Sequence, residues 1–256
     1  MSEPVAPRAN LRMVDQLARH RVGYTDHDLA RVEAAEVTRR LIRELSDTTA
    51  PSDAIREVTR LIGEAADLLA GHAHGRDYFG SSEGSLVGGS DLTFVDFSPF
   101  VGPMSPLAPP IEVQVFHDRV EGLVEYALAY EGPPGHVHGG FIAAGFDEML
   151  GFVQGFSGQA GMTGRLEISY RSPTPLHRPV RYTAGLTSVS GRKVLCWGTL
   201  HDGDRLCAEA TALFITFRPE RMAGLLAQRA EGGTEPAPEA RRGDGSVDES
   251  DQPPAG

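Results

Sequence analysis

Near the start of the chain, apolar residues recur every three to four positions in two separate runs. Leu29, Val32, Val37, Leu41, Ile42 and Leu45 follow Thr25, a residue suited to cap a helix. Ile55, Val58, Leu61, Ile62, Ala65 and Leu69 follow Pro51-Ser52 in the same rhythm. The pattern predicts an amphipathic helical hairpin packed against something else, within an N-terminal extension over residues 1–75. Residues 76–110 lose the period and become rich in Gly, Ser and Pro. They still hold Phe94, Phe97, Phe100, Val101, Met104 and Leu107, too many apolar groups for a solvated linker. An ordered loop covering a core or a ligand groove is expected there.

From Ile111 the period changes to two, as a half-buried strand requires. Ile111, Val113 and Val115 alternate, and a second strand is expected over 123–130. The turn-forming run Glu131-Gly132-Pro133-Pro134-Gly135 then leads into an apolar helix over 139–156. Four strands follow, over 165–171, 180–188, 192–201 and 205–217, with a hairpin signal at His201-Asp202-Gly203-Asp204. One helix among antiparallel strands predicts an α+β domain over 111–220, its curved sheet wrapped round the helix. Residues 228–256 carry almost no apolar side chains and are expected to be a disordered acidic tail.

Composition and charge narrow the function classes. The formal charge of the 256 residues is −11 and no basic stripe occurs, which argues against nucleic acid as the main partner. Neither a secretory leader nor an apolar run of membrane-spanning length is evident, so a cytoplasmic location is expected. If Asp202-Gly203 centres the last hairpin, Cys196 faces Glu209 and Cys207 faces Gly198. The two thiols then lie diagonally, a poor geometry for a disulfide.

The helix over 139–156 is apolar almost all round, yet Asp147 and Glu148 sit in its middle. Burying a carboxylate costs several kcal/mol unless it is paired or used. Glu148 is expected to reach solvent or a structural partner, and Asp147 is the candidate for chemistry. His138-Gly139-Gly140 opens the helix, where glycines allow close backbone approach and leave N–H groups free to hold a developing oxyanion. His136 and His138 could suggest a metal. No cysteine lies near them, and nine residues from His138 to Asp147 is not a familiar ligand spacing, so no metal is expected.

In order and spacing these motifs resemble the PaaI-like acyl-CoA thioesterases of the hotdog superfamily, most nearly the branch of the carboxyl-terminal modulator protein. The resemblance rests on Tyr130 to Gly135, His138-Gly139-Gly140 with Asp147, and Met162-Thr163. Tyr170-Arg171-Ser172-Pro173-Thr174-Pro175-Leu176, Gly191-Arg192-Lys193 and Glu209-Ala210-Thr211 complete it. It spans about 106–219. It implies a hotdog fold, a homodimer or dimer of dimers, acyl-CoA as substrate, and no cofactor. It also places Asp147 on the catalytic carboxylate, His138 on the motif histidine, Gly139 on the oxyanion-holding amide and Thr163 on the hydroxyl that positions water. One departure stands out: several relatives carry Asn or Gln where this chain has Gly132.

On one straight helix Gly139 and Asp147 lie roughly 12 Å apart. They cannot readily serve one carbonyl from one subunit, so two sites shared across a two-fold axis are expected. Gly140 and Phe141 are expected beside the substrate, with Phe146 and the 94–107 loop along a medium to long acyl chain. Arg171, Arg192 and Lys193 are candidates for the coenzyme A phosphates. The alternatives are an enoyl-CoA hydratase and a non-catalytic acyl-CoA sensor or scaffold.

Overall fold

The computed structural model of the protein describes residues 24–72, 93–109, 111–158 and 161–216. The expected acidic tail over 228–256 and most of the first part of the expected covering loop lie outside these. Helix α1 (Asp26–Asp47) begins where the sequence places it. The Thr25 side chain accepts from the Asp28 N–H, and the Asp28 side chain accepts from the Thr25 N–H. This reciprocal cap satisfies two donors that a helix start leaves free.

Helix α2 (Ser52–Ala70) also forms, but the expected packed hairpin does not. None of its side chains is buried; Leu61, Ile62, Leu68 and Leu69 are exposed. Amphipathic period is enough to form a helix, whereas docking needs a complementary apolar surface. Among the described residues α1 makes a limited contact: Ala35 is buried and the Arg39 guanidinium donates to the carbonyls of Pro103 (3.1 Å) and Ser105 (2.8 Å), while Leu29, Val37, Ile42 and Leu45 stay exposed. Those carbonyls belong to the described part of the covering segment, which starts with the single turn α3 (Thr93–Asp96). Its Val95 and Val101 join the main core, and Met104 and Ala108 are buried.

Six antiparallel strands form one sheet in the order β1-β2-β4-β5-β6-β3. They are β1 (Glu112–Val115), β2 (Arg119–Glu125), β3 (Gly161–Tyr170), β4 (Pro179–Ser190), β5 (Lys193–Asp202) and β6 (Arg205–Thr216). Helix α4 (Gly139–Gln154) lies against one face of the sheet. Ile142, Phe146, Met149, Leu150 and Val153 meet Val120, Val124, Tyr182, Ala184, Leu200 and Phe214 in a single core. A side chain of this size gains about 1.5–3 kcal/mol on full burial, so this layer holds the domain together. No described helix is long and apolar enough to cross a membrane.

Two expectations need correction. The second strand runs over 119–125, not 123–130, and Leu128–Tyr130 form a 3₁₀ turn. Glu125 pairs with Pro179, which has no N–H to donate, and the ladder stops there. The last hairpin turns at Gly203-Asp204, one residue later than expected, with Asp202 opposite Arg205. Gly203 takes φ 58° at the first turn position, which glycine alone adopts without strain. A register shift at Leu200/His201 then places Cys196 opposite Ala212. Both cysteines are buried and free, and burial pushes the Cys196 thiol up to about 12.

Candidate active site

The start of α4 is built by a tightly bonded loop. The Gly132 N–H donates to the His136 carbonyl, the His138 N–H to the Tyr130 carbonyl and the Val137 N–H to the Thr174 carbonyl. The Glu131 carboxylate accepts from the Gly135 N–H at 2.6 Å. Gly132 is pressed so closely onto His138 that an added Cβ would stand 2.7 Å from its Cα. This accounts for the departure seen in the sequence: an Asn or Gln side chain has no room at this position.

His138 is the N-cap, and its Nδ1 accepts from the Gly140 N–H at 3.0 Å. The N–H groups of Phe141 and Ile142 donate to the His138 carbonyl. Gly139 is therefore the one residue of this first turn whose N–H has no acceptor among the described residues. It points outward from the positive end of a 16-residue helix, an arrangement that can hold an anion or a carbonyl oxygen gaining charge. Phe141 is half-buried beside it, edge-on to Tyr130 with ring centroids 4.9 Å apart.

Further along α4 the two carboxylates part company. Asp147 is exposed, and the Thr163 hydroxyl donates to its Oδ1 at 2.7 Å. Glu148 is turned into the covering segment, where the Ser98 hydroxyl donates to it at 2.6 Å. Burial holds the Glu148 carboxyl above the usual carboxylate range, with the Ser98 bond opposing and the neighbouring Asp147 charge adding to the rise. Ser98 also accepts from the Phe100 and Val101 N–H groups, so this contact organises the loop.

Thr163 reaches Asp147 because β3 carries a bulge. Thr163 pairs with Phe214 and Arg165 with Leu213, leaving Gly164 out of the ladder. Were Gly164 paired like its neighbours, strict alternation would put Thr163 on the face opposite Leu166, Ile168 and Tyr170. Tyr170 closes the same strand, and its hydroxyl donates to the Gly139 carbonyl at 2.8 Å.

The structure thus gathers His138, Gly139, Gly140, Phe141 and Tyr170 at one end of α4, and Asp147 with Thr163 farther along it. Phe146, next to Asp147 in the chain, faces the sheet instead. It is fully buried, edge-on to Tyr182 at 5.1 Å, because its helical phase follows Ile142, Met149 and Val153 toward the sheet. Arg171, just past β3, is ion-paired with Glu209. Arg192 donates to the Thr216 carbonyl in the β4–β5 turn, and Lys193 opens β5. Val194, next to Lys193, pairs with Phe214, the partner of Thr163. Arg192 and Lys193 therefore lie at the Thr163 end of β3 and Arg171 at the Tyr170 end. His136 directs Nδ1 to the Pro134 carbonyl, and among the described residues no three His, Cys, Asp or Glu side chains form a metal-sized group.

Tyr170 and Ser98 had no expected role. The alternation of Leu166, Ile168 and Tyr170 could have pointed Tyr170 at the helix, but nothing in the local pattern marks Ser98.

No family model matches the chain. A crystal structure of a thioesterase superfamily protein superposes with a TM-score of 0.66 at 31% sequence identity, covering 75% of this chain and 96% of that one. The acyl-coenzyme A thioesterase THEM4 of Mus musculus is 38% identical over 116 residues, 43% of this chain and 50% of that protein. The Xenopus laevis protein of the same name is 40% identical over 91 residues, 35% of this chain and 41% of that protein. The chain thus spans half or less of the length of these curated relatives. The near-complete overlap with the solved superfamily structure carries the assignment: the chain belongs to the thioesterase superfamily and has its hotdog fold.

Proposed function

We propose that the protein hydrolyses acyl-coenzyme A to a free acid and coenzyme A, with two sites shared between the subunits of a homodimer. The observation that carries this reading is the exposed Asp147 carboxylate, held at Oδ1 by Thr163 on a helix that starts with an uncommitted Gly139 N–H. Thr163 fixes the carboxylate and leaves Oδ2 for chemistry. Water bound at Oδ2 attacks the thioester carbon and passes a proton to Asp147. The carbonyl oxygen becomes an oxyanion that accepts from the Gly139 N–H. His138 supplies a second donor through Nε2–H, since Nδ1 already accepts from Gly140. Collapse breaks the carbon–sulfur bond, and the proton on Asp147 passes to the leaving thiolate. Direct attack by Asp147 is the variant of this route, with a mixed anhydride that water then opens.

Asp147 and Gly139 stand about 12 Å apart along α4, too far to serve one carbonyl in one subunit. Strand β3 is an edge of the sheet and offers its unpaired side to a second copy. Antiparallel two-fold pairing that sets Thr163 against Tyr170 of the partner subunit would bring each Asp147 to the other subunit's helix start. The same pairing would bring Arg171 toward the partner's Arg192 and Lys193, which the single chain keeps at opposite ends of β3. That supports a role for all three near the coenzyme A phosphates. Phe141 and the covering segment are the surfaces offered to a medium or long acyl chain, and the two reduced, buried cysteines fit a cytoplasmic setting.

Thiol release measured across acyl-CoA substrates of increasing chain length tests the reading. Release that Asp147→Asn abolishes is expected. Tight acyl-CoA binding without any thiol release would replace hydrolysis with ligand sensing.

A further inference from the structure

The peptide joining Gly139 to Gly140 is bonded at both ends. Its carbonyl accepts from the Tyr170 hydroxyl at 2.8 Å, and its N–H donates to His138 Nδ1 at 3.0 Å. A backbone N–H can only donate, so Nδ1 must present its lone pair and the neutral ring carries its proton on Nε2. The preceding peptide is pinned as well, because its carbonyl accepts from Phe141 and Ile142. Peptide planes are rigid, so these bonds fix the direction of the Gly139 N–H between them.

We propose that Tyr170 is a positioning residue for catalysis, acting through the Gly139–Gly140 peptide to hold His138 as the Nε2–H tautomer and to aim the Gly139 N–H. Donation to an amide oxygen draws charge from the amide and strengthens its N–H as a donor. Tyr170 therefore strengthens the bond that keeps Nδ1 unprotonated. It also ties the helix start to the end of the edge strand, so the two oxyanion donors keep their place relative to whatever pairs with β3. Glycine eases this approach: a Cβ at Gly139 would stand 3.2 Å from the phenol oxygen, a tight contact. Tyr170 is 54% exposed, so little of this arrangement can be explained by burial of its ring.

The kinetic part of this inference rests on the thioesterase reading; the tautomer part does not. Two measurements on Tyr170→Phe test it. In the unliganded full-length protein, nitrogen NMR of the His138 ring should show the Nε2–H form in the parent and a shift toward Nδ1–H in the variant. With acyl-CoA, kcat should fall about five- to tenfold, the size of one lost hydrogen bond, while KM stays within about twofold. A staple with only a structural role would lower the melting temperature and leave the ring signal and kcat unchanged; that result overturns the proposal. If Tyr170→Phe does not fold, 3-fluorotyrosine at position 170 keeps the hydroxyl and makes it a stronger donor. The ring signal should then show the Nε2–H form more completely, and a shift the other way counts against the proposal. If the parent releases no thiol from any acyl-CoA, the proposed activity fails, while the ring signal still decides the role of Tyr170.

Discussion

The two groups of candidate site residues on α4 are equipped in opposite ways. The helix start has donors and no base: the Gly139 N–H is uncommitted, His138 is locked by Gly140, and Tyr170 braces the peptide between them. The middle of the helix has a carboxylate and no backbone donor, since among the described residues Asp147 meets the Thr163 hydroxyl alone and interior N–H groups are taken by the helix itself. A helix can offer a free N–H only at its start, and it can expose a long-lived carboxylate only on its open face. In the function proposed above, joining the two roles at one carbonyl calls for a second helix, and β3, an edge strand among the described residues, is the surface proposed to bring it.

The largest expected effect comes from removing the base. Asp147→Asn preserves shape and should lower thiol release by a factor of about a thousand or more, measured as kcat. Turnover within a few-fold of the parent would mean that the middle of the helix is not the basic half.

Mixing the two halves tests how they combine. Asp147→Ala lacks the base and Gly139→Pro lacks the donor. The backbone at 139 suits proline, because this first helical residue makes no intrahelical N–H bond and His138 already has φ −62° and ψ 131°; its Cβ would stand 3.2 Å from the Tyr170 hydroxyl, so folding of the variant is checked first. Each variant alone should be inactive. Refolded together, half of the dimers are mixed and each regains one of two sites, so about a quarter of parental activity should return. A properly dimeric mixture with no recovered activity would place both groups within one subunit.

Thr163→Val keeps the strand and deletes the hydroxyl that holds Asp147. A loss of roughly tenfold in kcat is expected. An unchanged rate would show that the carboxylate does not need this support.

Glu148→Gln sharpens the contrast between neighbours and should change turnover least, by less than about threefold. Its signature is in stability. The folded carboxyl titrates above its unfolded value of 4.5, so the stability it contributes is complete below that pH and is lost as pH rises through the raised folded value. Melting temperature followed upward from pH 4.5 should fall less in the variant than in the parent. Equal slopes would show that the Ser98 contact fully offsets burial.

Much of this arrangement was legible in the residues. Thr25 marked a helix start, the two-residue period marked strands, and an apolar run marked the buried helix that carries Asp147 and Glu148. His138-Gly139-Gly140 marked where that helix begins. Local patterns failed where the outcome depended on what lay opposite. The period of α2 gave a helix but no surface to dock on. Phe146 was expected along an acyl chain and is found fully buried against the sheet, because composition does not give helical phase relative to a sheet. The hairpin turn slipped by one residue because glycine's positive φ and a bulge on the partner strand set the register together.

By itself, then, the sequence determined the identity and order of the elements, since period, capping and turn chemistry act over a few residues at a time. It also set two adjacent carboxylates on an apolar helix and two glycines at that helix's start, where backbone can be approached closely. Tertiary structure alone decided that Glu148 meets Ser98 and Asp147 meets Thr163. The second contact depends on one unpaired residue, Gly164, reversing the side of the strand on which Thr163 emerges. It also decided that Tyr170 reaches back 31 residues to Gly139. Contacts of that separation arise only after strand order and helix tilt are set by the whole core, so no window of sequence contains them.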